Sequence, residues 1–107
     1  MRIKEIEFEG QKFRIGALTI GQAKDFLGGQ TDALKGGDAV AMAKTWRNFI
    51  VLGLNNGSNE ADPPWTEERL EDEIDLLTFD FLRNEILEFS GMKLEAEKKT
   101  ESPAPTS

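Results

Sequence analysis

The sequence predicts a mainly helical α+β protein in which a short N-terminal β-hairpin packs on a small bundle of three to four helices. Apolar and charged residues alternate over 2–15, which is the period of half-buried strands. Apolar residues then recur at helical spacing in four later segments. Residues 93–107 contain almost no large apolar side chains, so we expect one domain over 1–92 and a disordered tail over 93–107.

The hairpin is predicted to turn near Gly10, because glycine readily adopts the positive φ angles of tight turns. A lone hairpin is only marginally stable in water, so it is expected to pack against a helix. Its apolar positions are Ile3, Ile6, Phe8, Phe13 and Ile15.

The first helix is predicted over about 19–27, where Thr19 and Gln22 have the spacing of a capping box. Gly28-Gly29 is expected to end this helix, and a flexible loop with four glycines is expected over 28–38. The predicted buried face of the helix consists of Ile20, Ala23, Phe26 and Leu27.

The second helix is predicted over 38–54, and Asp38 is a favourable N-cap residue. It carries the clearest helical stripe in the sequence, which predicts that it forms the centre of the core. The stripe residues are Met42, Trp46, Phe49, Ile50 and Gly53.

Two further helices are predicted over 66–77 and 79–90, with Thr66 as the first N-cap and a break near Thr78. Leu70, Ile74 and Leu77 are expected to form the buried face of the third helix. Ser90-Gly91 is expected to end the fourth. The predicted core residues are Phe26, Trp46, Phe49, Ile50, Leu70, Ile74, Leu82, Ile86 and Phe89.

The 107-residue chain contains no histidine, cysteine or tyrosine, and its formal net charge is -7. These absences remove the commonest general base, the commonest metal ligand and all thiol chemistry, so we expect no enzymatic activity, no metal and no cofactor. Without a cluster of lysine and arginine, nucleic-acid binding is not expected. No apolar run reaches the length of a membrane span and no signal peptide is recognisable, so the expected location is cytoplasmic.

An acidic run over 60–75 is opposed only by Arg69. It is typical either of a solvated helix face or of a docking surface for a basic partner, and both interpretations remain open. Trp65 precedes the third helix, where it serves either as a hydrophobic staple against Leu70 or as a contact residue. The candidate partner-binding residues are Trp65, Glu67, Glu68, Glu71, Asp72 and Asp75.

The layout resembles the tail assembly chaperones of long-tailed bacteriophages over about residues 1–92. In those small acidic proteins a strand pair is followed by a segment like the one at 17–23. Their central helix ends in a sequence like that of residues 49–56, and their acidic helix begins with a sequence like that of residues 65–68. A Ser-Gly pair like Ser90-Gly91 then precedes a loose tail.

The resemblance implies that the chain binds the tape measure protein, keeps it soluble and recruits tail tube subunits. It implies self-association into rings or spirals, work in the host cytoplasm and absence from the mature virion. Many such proteins are made in two lengths by a programmed frameshift, and this chain would be the shorter product. We expect a groove beside the Trp46 and Trp65 helices to hold amphipathic helices of the client.

Two alternatives remain open at the level of the sequence. One is a small structural protein of the virion, in the tail or the head-tail connector. The other is an acidic DNA mimic that blocks a DNA-binding enzyme, which needs carboxylates spaced like phosphates over a large surface.

Overall fold

The computed structural model describes residues 2–59 and 62–92, and the predicted tail over 93–107 lies outside them. The expected fold class, α+β and mainly α with an N-terminal hairpin, is confirmed. The elements of the described residues are β1 (Ile3–Phe8), β2 (Gln11–Gly16), α1 (Ile20–Gly36), α2 (Ala39–Gly57), α3 (Glu67–Glu73) and α4 (Leu76–Phe89).

The hairpin turns at Glu9 and Gly10, as expected. Both residues have positive φ angles, 51° and 85°, which is the type I′ geometry that matches the twist of the two strands. Strands β1 and β2 pair in antiparallel register with Ile6 opposite Phe13, and both side chains are buried. Ile3 lies on the other face of β1 and is exposed, since side chains three apart in a strand point to opposite faces.

The inward face of β1 contacts α4 along its length. The Phe8 ring stacks on Phe81 with the ring centroids 4.7 Å apart. The Lys4 Nζ atom lies 3.4 Å from a carboxylate oxygen of Glu85. Arg2 covers the Phe89 ring and donates to the Phe89 carbonyl. The hairpin therefore packs on a helix, and β1 and α4 run in opposite directions.

Helix α1 does not end at Gly28-Gly29, so the predicted bounds of 19–27 and the loop over 28–38 are wrong. The helix continues to Gly36. It stops at Gly37, whose φ of 60° is left-handed, and the Asp38 N–H donates to the Ala33 carbonyl oxygen over 3.1 Å. This Schellman arrangement satisfies the last carbonyl groups of the helix. Gly28 and Gly29 lie inside the helix, where no such arrangement is needed.

Aromatic packing explains why α1 passes through two glycines that each cost about 1 kcal/mol relative to alanine. The Phe26 ring centroid lies 4.6 Å from that of Phe49 and 5.0 Å from that of Trp46. Ala33, two turns later, is also buried, so α1 has a buried side chain on both sides of the glycines. The predicted buried face is therefore partly wrong, because Ile20 is 90% exposed and Leu27 is 50% exposed.

Helix α2 is central and packs against the hairpin and the other three helices. It begins after Asp38, whose carboxylate accepts from two backbone N–H groups, and it runs to Gly57 rather than to 54. A Cβ atom at Gly57 would lie 2.6 Å from backbone atoms of Arg14 and Ile15, and one at Gly53 would lie 2.5 Å from the Ile86 side chain. The end of α2 thus needs glycine where other elements touch its backbone.

The break between α3 and α4 lies at Ile74 and Asp75, not near Thr78, so the predicted bounds of 66–77 and 79–90 are wrong. Asp75 caps α4, since its carboxylate accepts from the Thr78 N–H over 2.9 Å. The new start changes which residues face inward. Thr78 is buried, whereas Leu77 is 67% exposed although it was expected to be buried.

The core contains most of the expected residues. Of the nine predicted positions, Trp46, Ile74 and Phe89 are half-buried at the edge of the core and pack against it. The other six are buried: Phe26, Phe49, Ile50, Leu70, Leu82 and Ile86. The hairpin contributes three more buried side chains, Ile6, Phe13 and Ile15.

Candidate functional site

An open apolar groove of about 470 Å³ lies between α2, α3 and α4. A groove beside the Trp46 and Trp65 helices was expected, and this groove contains Trp46 in its lining but not Trp65. Its apolar lining comes from all three helices, and its two charged lining residues are Arg47 and Glu71. The apolar lining residues are Ala43, Trp46, Leu70, Leu76 and Phe79.

The break at Ile74 and Asp75 accounts for two exposed leucines at the start of α4, of which Leu76 lines this groove. The extended backbone at these two residues starts α4 in a new helical phase, so Leu76 and Leu77 occupy its first turn. Leu76 lines the groove and is 85% exposed. Neighbouring apolar side chains left open to water are typical of a contact surface rather than of a finished core.

Arg47 of α2 joins the acidic helix to the groove. Its Nε atom lies 3.3 Å from carboxylate oxygens of both Glu67 and Glu71. These pairs are partly exposed, so their main effect is to fix the position of α3 and contribute at most about 1 kcal/mol each. Two of the expected docking carboxylates are therefore engaged within the chain.

The remaining acidic candidates have different surroundings. Glu68 and Asp72 are exposed and four residues apart, which places them on one face of α3. Within residues 2–59 and 62–92, no cation lies within ion-pair distance of either carboxylate. This face of α3 lies opposite Leu70 on the helix and presents net negative charge to solvent.

Asp75 is the N-cap of α4. Hydrogen bonds from the Thr78 backbone N–H and hydroxyl hold the pKa of the Asp75 carboxyl below its ordinary value of 3.8. A capping carboxylate is stabilised in its charged form because it satisfies free N–H groups at the positive end of the helix. Asp75 is thus occupied in forming the break that exposes Leu76.

Trp65 lies outside the groove. The Asn55 side chain accepts from the Trp65 N–H over 2.7 Å and donates to its carbonyl oxygen over 3.0 Å. The Arg69 guanidinium covers the indole at 3.9 Å from the ring centroid. The half-buried ring packs against the core and lines a separate cleft of about 210 Å³ with Phe13 and Arg69. The two tryptophans therefore belong to different surfaces.

A third depression, of about 330 Å³, lies between α1 and α2. Gly29 of α1 leaves room there beside Thr45 of α2, and the rings of Phe26 and Phe49 close one side. It is smaller than the groove and carries fewer exposed large apolar side chains on its lining.

The two charged groups of the groove, Arg47 and Glu71, neutralise each other, and the rest of its lining is apolar. In the parts of the chain that the structure describes, no group of three metal-ligating side chains is found. Over the same residues, no helix has both the length and the apolar character needed to cross a bilayer.

Sequence reasoning missed four lining residues of the groove, which are Ala43, Arg47, Leu76 and Phe79. A signal for Leu76 was present, since Asp75 stands three residues before Thr78 and aspartate is a strong N-cap. Placing the start of α4 at that cap leaves Leu76 in an exposed first turn.

Comparisons with known proteins do not extend this description. No family model matches the chain. No curated protein matches it, and no solved structure does. The relation to phage tail assembly chaperones therefore stays a prediction from the layout of the sequence.

Proposed function

We propose that this chain is a phage tail assembly chaperone that holds helical segments of a tape measure protein in the groove between α2, α3 and α4. In this proposal it keeps the client soluble, assembles with further copies into rings or spirals, recruits tail tube subunits and then leaves. The observation that carries the proposal is the open apolar groove with Leu76 at its edge.

The groove has the character needed to hold an amphipathic helix. Trp46, Phe79 and Leu76 offer aromatic and aliphatic contacts from two sides, so a client helix with apolar residues at i, i+3, i+4 and i+7 would bury its stripe between α2 and α4. Burial contributes about 25 cal/mol per Å² of apolar surface. A contact limited to one groove is small, which suits a chaperone that must release its client.

The acidic helix gives the groove a preference in charge. Helix α3, which forms one wall of the groove, carries five carboxylates and one arginine, and its outer side presents Glu68 and Asp72 to solvent. A client helix with lysine or arginine along the edge of its apolar stripe is attracted to this wall, which speeds encounter and fixes orientation. High salt should therefore weaken the complex without abolishing its apolar part.

The DNA-mimic alternative is less well supported by the side chains of α3. Glu67 and Glu71 pair with Arg47, and Glu73 pairs with Arg69 over 3.0 Å. Carboxylates neutralised within the chain do not present the regular row of free charges that imitates a phosphate backbone.

The test is co-expression of the full chain with the tape measure protein encoded in the same genome, followed by affinity purification. The wild-type chain should recover the client, and Leu76→Glu should lose most of it. Leu76 is exposed, and glutamate in the first turn of a helix suits its dipole, so this variant should still fold. Circular dichroism checks that point.

Leu27→Glu is the matched control, because it makes the same substitution at an exposed leucine of α1. It should recover the client like the wild type. Failure of the wild type to recover any tape measure protein, or undiminished recovery by Leu76→Glu, would refute the proposed site. The protein should also be absent from mature particles by mass spectrometry, and stoichiometric presence there would favour the virion structural protein instead.

A further inference from the structure

The end of α2 carries the dipeptide Asn56-Gly57, and asparagine followed by glycine is the sequence most prone to spontaneous deamidation in proteins. Asn56 is the one asparagine of the chain that glycine follows. Gly57 has no side chain to hinder the reaction, and its backbone is highly mobile in an unfolded chain. The sequence therefore contains one especially reactive side-chain amide, and the surroundings of this amide in the fold decide when it reacts.

Deamidation is an attack of the main chain on its own side chain. The Gly57 nitrogen gives its proton to hydroxide and forms a bond with Cγ of Asn56. The bond between Cγ and Nδ2 breaks, and Nδ2 takes a proton from water and leaves as ammonia. Water then opens the succinimide ring to aspartate, or to isoaspartate, in which the main chain runs through the former side chain. The ring closes only if the Gly57 nitrogen reaches Cγ.

The side chain of Asn56 is held away from such an attack by three neighbours. Its Nδ2 atom donates to the Ala17 carbonyl oxygen over 3.1 Å and to Oε1 of Gln22 over 2.8 Å, so both amide protons are used. Gly16 packs so closely that a Cβ atom there would lie 2.7 Å from Cβ of Asn56. The side chain cannot rotate without breaking these contacts.

The attacking nitrogen is equally restricted. Gly57 is buried and is the last residue of α2, where a backbone N–H donates to the carbonyl four residues earlier. A Cβ atom at Gly57 would lie 2.6 Å from backbone atoms of Arg14 and Ile15. The nitrogen therefore cannot turn out of the helix towards Cγ while β2 lies against it.

We propose that Asn56 is a deamidation site that the folded chain protects, and that its conversion in an opened or unfolded chain prevents the native junction from forming again. The junction consists of the end of α2, the end of β2 and the start of α1. Each unfolding event then carries a chance of permanent change, so the modification records the time that a copy has spent unfolded. The inference does not depend on what the groove holds.

The product does not fit the junction for reasons of hydrogen bonding and chain length. An aspartate carboxylate only accepts, and at position 56 it would face the Ala17 carbonyl oxygen and Oε1 of Gln22, which also accept. Gln22 cannot turn its amide to donate without losing the bond from the Thr19 N–H, which caps α1 over 3.0 Å. Isoaspartate adds a methylene group to the main chain, where Gly57 and β2 leave no space.

The rate of deamidation in the full chain is the first test. The wild type is incubated at mildly alkaline pH with and without denaturing urea, and peptide mass spectrometry follows the conversion of each asparagine. Asn56 should react at least about tenfold more slowly without urea, because a native chain opens only rarely. Equal rates in the two conditions would overturn the proposal, and so would a chain in urea that reacts first at another asparagine.

A pair of variants tests whether the contacts of Asn56 give the protection. Gln22→Ala removes the acceptor of the Asn56 amide and also weakens the capping box of α1. Thr19→Ala weakens the same capping box but leaves the bond between Gln22 and Asn56. Deamidation of the folded chain should accelerate in Gln22→Ala and much less in Thr19→Ala. Equal acceleration would show that the stability of α1 protects the site, and would contradict the proposal.

Asn56→Asp tests the consequence of the modification. It should lower the urea concentration at the midpoint of unfolding, or prevent folding altogether, as judged by circular dichroism. Asn48→Asp is the matched control, because it makes the same substitution at an exposed position of the same helix, and it should unfold like the wild type. An Asn56→Asp chain with the wild-type midpoint would overturn the second part of the proposal.

Discussion

Glycines in α1 and α2 differ in what surrounds them, although both helices are long and pack against each other. In α2, a Cβ atom at Gly53 or Gly57 would collide with Ile86 or with the backbone of β2. In α1, a Cβ atom at Gly21 or Gly28 would meet nothing within 4 Å. The same residue type thus marks close packing in one helix and a merely tolerated weak point in the other.

Gly57→Ala should have the largest effect. The added methyl group would lie 2.6 Å from backbone atoms of Arg14 and Ile15, and backbone in a paired strand cannot move aside as a side chain can. We expect a loss of about 3 kcal/mol in the free energy of unfolding, at the upper end of typical overpacking costs. Urea denaturation followed by circular dichroism measures it. A loss below that of Gly53→Ala would contradict the packing described for this junction.

Gly53→Ala should cost less, about 2 kcal/mol, because the colliding atoms belong to the Ile86 side chain. Ile86 is fully buried, so its side chain has little room to turn away. Ile86→Val removes the Cδ1 atom that would lie 2.5 Å from the new methyl group. The double variant should therefore be more stable than the sum of the two single effects predicts, and strict additivity would argue against this contact.

Gly28→Ala, unlike the two substitutions in α2, should increase the free energy of unfolding, by about 0.5–1 kcal/mol. Alanine is the better helix former, the site is open, and the unfolded chain loses conformational freedom. Urea denaturation measures the difference in the free energy of unfolding. Destabilisation by this change would mean that the outer side of α1 is more tightly packed than the fold indicates.

The N-caps of α1 and α4 should respond differently to pH. Thr19 and Gln22 cap α1 without charge, whereas Asp75 caps α4 with a carboxylate whose pKa is lowered by its hydrogen bonds with Thr78. A lowered pKa means that this stabilisation is complete above the ordinary value of 3.8 and is lost as the pH falls below it.

Asp75→Asn should have the smallest effect of these substitutions at neutral pH, because asparagine also caps a helix but does not titrate. Thermal unfolding should give similar stabilities for the wild type and the variant near pH 7. Below pH 3.8 the wild type should lose more stability than Asp75→Asn. Parallel pH profiles for the two proteins would contradict the assignment of the cap.

The fold was predictable where a local signal specified the backbone. The hairpin turn at Gly10, the capping box at Thr19 and the caps at Asp38 and Thr66 all lie at or near the expected positions. The end of α1 was not predictable in this way. A glycine pair reads as a helix stop, and only the rings of Phe49 and Trp46, which are distant in sequence, hold the helix together beyond it.

The groove was predictable only in outline. The helical stripe through Trp46 indicated which side of α2 would face other helices, but the floor of the groove depends on where α4 begins. Treating Leu70, Ile74 and Leu77 as one continuous stripe leads to the prediction that Leu77 is buried. The break at Asp75 leaves Leu77 exposed. Arg47 carried no sequence signal as a groove residue, because its pairing with Glu67 and Glu71 depends on how α3 docks on α2.

The contacts of β1 with α4 join the first and the last elements of the domain, so they can form only when synthesis of the domain is nearly complete. Lys4 and Glu85 are 81 positions apart, so at about 5–20 residues added per second the ribosome makes the hairpin several seconds before its partner helix. A hairpin alone is marginal, and Phe8 has no ring to stack on until Phe81 is made. The face of β1 that α4 covers therefore stays open until the last helix emerges, and a polypeptide stalled before α4 would expose Phe8 together with the surface of α2 around Gly53.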